Sequence, residues 1–394
     1  MFFFISVFFV LPCCSKKAVE IVQSVTPTPP SDSSGKFLVW DITTLQKIAP
    51  QQLANIGYCG YPRMIQLKDE SLLCIYEISG GNIICVNSKD VGKTWSDPII
   101  VATNNNGINR AVPDILELAD GSLLASYNLR PPVYDSAKHF AISTAKSYDG
   151  GNSWRDERLV YQASAKADDG CWEPAQIQLP SGEIQLYFSN EAIYTNSNEQ
   201  NISMFRSGDN GLSWSASPQI VSFRNGKRDG MPVPIFLKNY NEILFSIEDN
   251  GSGQFTPSII RNTLQENWVN FVDASSPNRS SALASSLASD NSFYAGAPFL
   301  RQLHTGETIL SFQSTQQRNN QWDLSCMNVV IGDDNGRNFI HPSIPFNVPL
   351  NKMGLWNSLC VLKDNSVVAL TSTNAYSSNN NVEVWMIKGH LVSR

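Results

Sequence analysis

Two glutamates occupy positions from which they could carry out acid–base chemistry on a sugar. Glu173 follows Trp172 at the start of one strand pattern, and Glu248 stands at the end of another. Facing carboxyl groups are the machinery of glycoside hydrolysis, one as acid/base and the other as nucleophile or base. A separation of roughly 5 Å would give retention, and roughly 6.5–9.5 Å inversion. Trp172 would offer an apolar face to a sugar ring and help to raise a neighbouring carboxyl pKa.

Other polar and aromatic residues lie near the same strand ends and could contact a substrate. Glu191 follows the hairpin that Glu173 begins, which places two carboxyl groups at one end of that hairpin. Each arginine could instead pair with a structural carboxylate. The candidate substrate-binding residues are Arg63, Arg110, Asp114, Trp172, Glu191, Arg228, Gln313 and Trp356.

A repeat positions these residues. Six segments each read as a strand, a tight turn and a second strand. They cover residues 61–77, 112–128, 173–189, 232–248, 297–313 and 356–372, with turn markers at Glu70, Gly121, Gly182, Asn241, Gly306 and Asn365. The markers lie 51 to 65 residues apart, which leaves room for four short strands per repeat, as in one propeller blade. The sequence therefore predicts an all-β, six-bladed β-propeller in which residues 36–44 add a strand to the last blade.

A second motif supports this fold. Residues 88–95, 147–154 and 207–214 match S-x-D-x-G-x-[TS]-W, and residues 332–339 are a degraded copy. These are Asp-boxes, as found in sialidases and related propellers. In such a turn the Ser and Asp side chains bond the backbone, Gly takes a conformation open only to Gly, and Trp packs inward. We expect Asp90, Asp149 and Asp209 to be structural, between the third and fourth strands of their blades.

Two positions of each repeat should meet at one mouth of the channel, because each blade starts at the axis. Nine residues before the marker lie Tyr61, Val112, Glu173, Pro232, Ala297 and Trp356. Seven residues after it lie Glu77, Asn128, Ser189, Glu248, Gln313 and Ser372, all of them polar. This ring predicts a pocket that meets water or sugar hydroxyls. The long insertions 191–206 and 262–294 are expected to shape it.

The N-terminal part of the 394-residue chain reads as targeting sequence rather than fold. Residues 1–14 are an apolar leader, 15–35 a Ser/Thr/Pro-rich tether, and 36–394 the propeller domain. Cys13, or else Cys14, resembles the lipid-attachment cysteine of a bacterial lipoprotein, which would place the protein in the cell envelope. No Lys or Arg precedes the apolar run, so plain secretion and a buried first strand stay open.

The composition limits the classes of molecule that the protein is expected to bind. The net charge of −6 and the absence of a Lys/Arg block speak against nucleic acid. The four histidines form no cluster, so the sequence supports neither a metal site nor a His-based triad. Cys74 and Cys85 could face each other across a Gly-Gly turn or be separate buried thiols. We expect a carbohydrate partner, no cofactor, membrane contact only through a lipid anchor, and a monomer.

Several of these segments resemble the exo-1,5-α-L-arabinanase family of glycoside hydrolases. The likeness lies in WEP with Glu173, RDGMPVP (228–234) leading to Glu248, AGAPFLRQLHTGETILSFQS (295–314) and LWNSLCVL (355–362). It implies a six-bladed propeller that releases short arabinose units from the end of arabinan with retention. By match, it implies Glu173 as acid/base and Glu248 as nucleophile. Arg228-Asp229 and the missing fourth Asp-box depart from the family's pattern, which bears on substrate preference.

Two other function classes remain open. A sialidase is favoured by the Asp-boxes and by YPR (61–63), with Arg63 on the substrate carboxylate and Tyr376 as nucleophile beside a glutamate. The fifth and sixth repeats offer APF and WNS where further arginines would be wanted. The third class is a propeller that binds glycans without cutting them, which has less need of two facing glutamates.

Overall fold

Twenty-four β-strands account for nearly all of the regular structure in the computed structural model, which describes residues 35–49, 53, 56–283 and 293–393. They form six four-stranded antiparallel sheets. The first strands of consecutive sheets contact each other, and the sixth contacts the first, which closes a ring of six blades. The predicted six-bladed β-propeller is confirmed. The expected leader (1–14), Cys13 and all of the tether but residue 35 lie outside the described residues.

The strands follow one another from the channel outwards in every blade. Blade one has β2 (Cys59–Gln66), β3 (Leu72–Ile78), β4 (Asn82–Ser88) and β5 (Ile99–Ala102). Blade two has β6 (Asn109–Glu117), β7 (Leu123–Arg130), β8 (Ala141–Ser147) and β9 (Arg155–Gln162). Blade three has β10 (Cys171–Gln178), β11 (Ile184–Asn190), β12 (Asn201–Ser207) and β13 (Gln219–Ser222).

The second half of the ring repeats this order. Blade four has β14 (Asp229–Leu237), β15 (Glu242–Asp249), β16 (Thr256–Thr263) and β17 (Arg279–Ser281). Blade five has β18 (Ala295–Gln302), β19 (Thr308–Ser314), β20 (Cys326–Gly332) and β21 (Ile340–Ser343). Blade six has β22 (Gly354–Val361), β23 (Val367–Thr373), β24 (Glu383–Ser393) and, as predicted for residues 36–44, β1 (Lys36–Lys47), which pairs with β24.

A β-bulge interrupts the innermost strand of every blade at the same place. The register slips there in all six first pairs, and the bulged residue has a left-handed backbone with φ between 47° and 53°. The six bulge residues are Tyr61, Val112, Glu173, Met231, Ala297 and Trp356. The predicted equivalent in blade four, Pro232, is wrong by one residue, because that hairpin has one more turn residue before Asn241.

The S-x-D-x-G-x-[TS]-W turns join the third and fourth strands, and they make the hydrogen bonds that the sequence predicts. In the first, the Ser88 hydroxyl accepts the backbone N–H of Gly92 at 2.7 Å, and Asp90 accepts that of Thr94 at 2.8 Å. The turns at Asp149 and Asp209 repeat these bonds. Hydrogen bonds from the Thr94 hydroxyl, the Thr94 backbone N–H and the Ser88 hydroxyl lower the pKa of the Asp90 carboxyl to about 2.

Apolar side chains between neighbouring blades form the core. The motif tryptophans pack into these layers, Trp95 between blades one and six and Trp154 between blades one and two. Blade four lacks the motif, yet Trp268 is fully buried between blades three and four. Its indole N–H donates to the Tyr187 hydroxyl at 2.9 Å. A residue outside any motif therefore fills the missing tryptophan's position, which the sequence did not reveal.

The six cysteines of the described chain are free and buried. Cys74 packs in the layer between blades one and six, and Cys85 packs between blades one and two. Strand alternation thus directs the two side chains to opposite faces of blade one, so the alternative of separate buried thiols holds. None of the helices within the described residues has the length and apolar character needed to cross a membrane.

Candidate active site

The residues of the predicted polar ring form hydrogen bonds that join each blade to the next. In every blade the polar residue near the end of the second strand accepts the backbone N–H of the next blade's bulge residue, at 2.6 to 3.1 Å. The pairs are Glu77 with Val112, Asn128 with Glu173, Ser189 with Met231, Glu248 with Ala297, Gln313 with Trp356, and Ser372 with Tyr61. A bulge leaves an N–H outside the ladder, and these side chains satisfy it.

The ring predicts a pocket that meets water or sugar hydroxyls, and two of its six members line such a pocket. Its four uncharged members, Asn128, Ser189, Gln313 and Ser372, are fully buried. Gln313 also donates its amide to the Tyr294 hydroxyl at 2.9 Å, so both ends of the side chain predicted to bind substrate are engaged within the protein. The two glutamates of the ring, Glu77 and Glu248, are the members that line a cavity.

Glu173 differs from the other bulge residues because it carries a carboxyl group. Tyr61, Val112, Met231, Ala297 and Trp356 pack together as an apolar cluster around the channel axis. The Ser189 hydroxyl donates to Oε2 of Glu173 at 3.2 Å. The bulge thus places one carboxyl group among apolar side chains at the centre of the ring.

Glu173 and Glu248 line the same cavity, which has a volume of about 550 Å³. Of the other predicted residues, Trp172, Glu191, Arg228 and Trp356 also line it. The insertion 191–206 thus contributes Glu191, Asn198 and Gln200, whereas no described residue of 262–294 lines this cavity. The remaining lining residues are Tyr58, Tyr61, Glu77, Arg130, Ala167, Asp168 and Trp322.

Burial raises the pKa of both carboxyl groups, and the charge of Glu248 adds to the rise at Glu173. Burial, followed by the charge of Glu248, raises the pKa of Glu173 to about 8. Burial also raises the pKa of Glu248, but the N–H of Ala297 and the charge of Arg228 oppose that rise. Glu173 is therefore the better proton donor near neutral pH, and Glu248 the better site for a negative charge.

Gly230 allows the Glu248 carboxyl to lie where it does. Glu248 Oε2 is fixed by Ala297, and its Oε1 lies directly above Gly230, its partner on β14. A Cβ at residue 230 would come within 3.2 Å of this oxygen and 2.7 Å of the Gln200 Oε1 atom. The absence of a side chain at Gly230 thus leaves room for a carboxyl and an amide at the cavity surface.

Glu191 holds part of the cavity together. Its carboxylate accepts hydrogen bonds from Arg228, with which it forms an ion pair, and from the Gln200 amide at 2.7 Å. Burial nevertheless raises the pKa of Glu191, against the opposing charge of Arg228. Two residues predicted to bind substrate are thus each other's partners, and both still line the cavity.

Aromatic rings form two sides of the cavity. On one side Trp356 stacks on Tyr61 at 4.4 Å between ring centroids, and Trp322 follows at 6.1 Å from Trp356. On the other side Trp172 lies 5.2 Å below the guanidinium of Arg130. Trp322 is 53% exposed at the rim. Such apolar faces with polar groups between them suit a sugar ring.

Tyr58, Arg130 and Trp322 were missed by the sequence analysis. Tyr58 donates its hydroxyl to Glu77 Oε1 at 2.9 Å. A signal for it existed, because Tyr58-x-Gly60 recurs as Tyr294-x-Gly296, and each tyrosine ring lies over its glycine. Arg130 and Trp322 lie in positions that the repeat does not share.

Besides Gln313, three residues predicted to bind substrate do not line the cavity. Arg63 and Asp114 are buried below the cavity and, with Asn357 and Glu173, line an enclosed space of about 20 Å³. Burial lowers the pKa of the Arg63 guanidinium to about 10, and Asp114 opposes this shift. Arg110 pairs with Glu157 at 3.4 Å and lines a neighbouring groove.

Tyr376, the nucleophile of the sialidase alternative, also lies away from the cavity. Its hydroxyl donates to the carbonyl of Asn347 at 3.3 Å, and its ring packs on Trp385. The fold therefore does not bring Tyr376 and Arg63 together around one substrate.

The chain is similar to several solved structures, although its sequence matches no known family model. No family model and no curated protein matches the sequence. Among solved structures, a Dyadobacter fermentans protein of unknown function is 14% identical with a TM-score of 0.64, covering 92% of this chain and 98% of its own. The α-L-arabinanase of Penicillium chrysogenum, solved with arabinobiose, is 20% identical with a TM-score of 0.62, covering 89% and 98%.

A sialidase is also among the similar structures. NanB of Streptococcus pneumoniae is 11% identical with a TM-score of 0.59, and the match covers 89% of this chain and 70% of that one. At these identities the likeness establishes a propeller of the kind found in arabinanases and sialidases, and it establishes the fold alone. The structural likeness that the sequence resemblance implied is thereby confirmed.

Proposed function

We propose that the protein is an exo-acting glycoside hydrolase that cleaves α-1,5-linked L-arabinan or a closely related neutral oligosaccharide. The observation that carries this proposal is the pair Glu173 and Glu248, which line one cavity and whose pKa values are both raised by burial, that of Glu173 to about 8. Two carboxyl groups with unequal proton affinities match the acid and the nucleophile of glycoside hydrolysis.

The charges of the cavity support a neutral substrate. Five carboxyl groups line it, from Glu77, Asp168, Glu173, Glu191 and Glu248, against two guanidinium groups. Arg228 is already paired with Glu191, so Arg130 is the lining arginine without an ion-pair partner among the described residues. One available cation is a poor receptor for an acidic sugar, since carboxylate recognition would use several arginines.

The proposed mechanism has two steps and retains configuration. In the first, the proton on Glu173 moves to the glycosidic oxygen as the bond to the leaving sugar breaks, while Glu248 bonds to the anomeric carbon. Oε1 of Glu248 is the attacking atom, because Oε2 is held by Ala297. In the second, Glu173 takes a proton from water, whose oxygen displaces Glu248 and releases the sugar.

A sialidase is the second candidate because of one contact. Tyr58 and Glu77 form a hydrogen-bonded tyrosine–glutamate pair in the cavity, which is the kind of nucleophile that a sialidase uses. Replacing Tyr58 by Phe separates the candidates. It should abolish sialic acid release by a sialidase, whereas an arabinanase that relies on Glu173 and Glu248 should keep most of its turnover.

Product release from linear 1,5-α-L-arabinan and from a sialyl-lactose conjugate, measured side by side, tests the proposal. We expect short arabinose products from arabinan and none from the conjugate. Sialic acid release would contradict the proposal and favour the Tyr58 pair. Tight arabino-oligosaccharide binding without turnover would favour a glycan-binding propeller instead. The envelope location, through Cys13, stays a proposal that labelling with a radioactive fatty acid would test.

A further inference from the structure

A second groove opens from the proposed active cavity towards the gap between blades one and two. It has a volume of about 470 Å³. The groove adjoins the cavity, and the two spaces share the lining residues Tyr58, Glu77, Arg130, Ala167 and Trp172. The cavity has its own rim at Asp168, Asn198 and Trp322, whereas the groove runs past Ser79, Asn109 and Pro132.

The groove has the surface chemistry of a saccharide site. Apolar faces come from Tyr58, Trp172, Phe140 and two prolines, of which Trp172 and Phe140 are in ring contact at 4.8 Å. Hydrogen-bonding groups come from Ser79, Asn109 and Arg130. Most of a sugar's surface is CH groups and hydroxyls, which such a mixture of rings and polar groups binds.

The turn between β3 and β4 keeps the groove open. It consists of Ser79, Gly80 and Gly81, and a Cβ added to Gly80 would meet nothing within 4 Å. A Cβ at Gly81 would lie 2.2 Å from Oδ1 of Asn109. Asn109 is held in this place by the amide of Asn104 at 2.8 Å. The small turn therefore leaves space beside a fixed amide.

We propose that this groove binds a side branch of the substrate, a further neutral sugar linked to the unit held between Glu173 and Glu248. Two exits from one cavity fit a branched glycan, since the backbone can leave past Trp322 while the branch lies against Trp172 and Phe140. The inference rests on the proposed function and extends it, because it makes substituted arabinan the preferred substrate class.

Two matched sets of ligands test the branch site. Affinities are measured by calorimetry on the Glu248→Gln form of each protein, which should bind these ligands without hydrolysing them, and turnover is measured with Glu248 intact. The ligands are linear α-1,5-arabino-oligosaccharides and the same oligosaccharides carrying one α-1,3-linked arabinofuranosyl branch. The wild-type protein is compared with Ser79→Trp, which fills the groove from the β3–β4 turn, and with Pro132→Trp, which fills it from the other side. Ser217→Trp is the control, because Ser217 is equally exposed and lines neither space.

We expect the wild type to bind the branched ligand at least roughly tenfold more tightly than the linear one. Both groove-filling variants should lose that preference and keep their affinity for the linear ligand, and Ser217→Trp should behave as wild type. Equal wild-type affinities for the two ligands would overturn the branch site alone. An equal loss of affinity for both ligands in the two groove-filling variants would also overturn the branch site, because the groove would then bind the backbone of the arabinan.

The result also separates the branch site from the proposed function. Tight, Ser79→Trp-sensitive binding of the branched ligand without any turnover would support the groove and contradict the hydrolase. Failure of the wild type to bind either ligand would overturn both. Turnover of linear arabinan with no branch preference would leave the hydrolase standing and the branch site refuted.

Discussion

The hydroxyl of Ser189 lies 3.2 Å from Oε2 of Glu173 and donates to it, while accepting the backbone N–H of Met231 at 2.9 Å. One side chain thus joins the bulge of blade four to the carboxyl of blade three. The hydrogen bond favours the ionised form of Glu173 and moderates the rise in its pKa that burial causes.

Ser189→Ala should therefore raise the pKa of Glu173 further and move the alkaline limb of the pH–rate profile upwards. It also leaves the N–H of Met231 without its acceptor, which should lower the free energy of unfolding by about 1–3 kcal/mol. Urea denaturation and a pH–rate profile measure the two effects. A lower alkaline pKa would contradict this role of the hydroxyl.

The pH dependence of turnover should be bell-shaped. Glu173 must carry its proton, so activity should fall as the pH rises through its pKa of about 8. Glu248 must be ionised, so activity should fall again on the acid side, at a pKa above that of an ordinary glutamate. With an aryl arabinoside whose leaving group needs no protonation, Glu173→Gln should lack the alkaline limb. An unchanged limb in that variant would assign it to another group.

The raised pKa of Glu173 also makes stability depend on pH. Its protonated form is favoured in the folded state, so the contribution is full at pH values below the unfolded carboxyl pKa and is lost as pH rises through about 8. Glu173→Gln should therefore unfold at a higher temperature than wild type at pH 9 and lose that advantage at pH 4. Thermal unfolding at both pH values checks the sign, and an advantage independent of pH would contradict it.

Gly230→Ala should damage catalysis more than folding. The added Cβ would meet Oε1 of Gln200 at 2.7 Å and the Glu248 carboxyl at 3.2 Å, so one of the two side chains must move. A displacement of the nucleophile of about 1 Å costs on the order of 100-fold in kcat. Gly208→Ala, where a Cβ meets nothing within 4 Å, is the matched control. Equal kinetics for the two variants would argue against the assigned position of Glu248.

Substitution of two tryptophans should affect two different properties, the stability of the fold and the binding of substrate. Trp268 is fully buried, and Trp268→Ala should destabilise the protein by about 3–5 kcal/mol. Trp322 is 53% exposed at the cavity rim, and Trp322→Ala should leave stability nearly unchanged while raising KM. Thermal unfolding and steady-state kinetics on both variants test the contrast, which would fail if Trp322→Ala left KM unaltered.

The sequence predicts the fold well because the fold is repeated. The hairpin spacing, the turn motifs and the closing strand at residues 36–44 each constrain the same ring, and they agree with one another. The role of Trp268 could not be predicted, because its position depends on packing between two blades rather than on a local turn. Met231 was misplaced by one residue because turn length, unlike strand pattern, is not periodic.

The site was predicted in part, for a physical reason. Positional equivalence brought Glu173 and Glu248 to the channel mouth. It could not distinguish a ring residue that is fully buried by its bond to the next blade's N–H from one, such as Glu248, that makes this bond and still lines the cavity. Gln313 belongs to the first kind. Asp229, a departure from the family's pattern, is fully buried and pairs with Arg279. It therefore stabilises blade four and does not contact the substrate.

Trapping the glycosyl-enzyme intermediate would identify the nucleophile. The Glu173→Gln variant is mixed with an aryl α-L-arabinofuranoside that has a good leaving group, and the protein is digested and analysed by mass spectrometry. Without its acid/base, the variant should still form the glycosyl-enzyme but hydrolyse it slowly, so we expect an arabinosyl group on Glu248. Glu248→Gln should carry none. An arabinosyl group on another residue, or full turnover by Glu248→Gln, would contradict the assignment of Glu248 as the nucleophile.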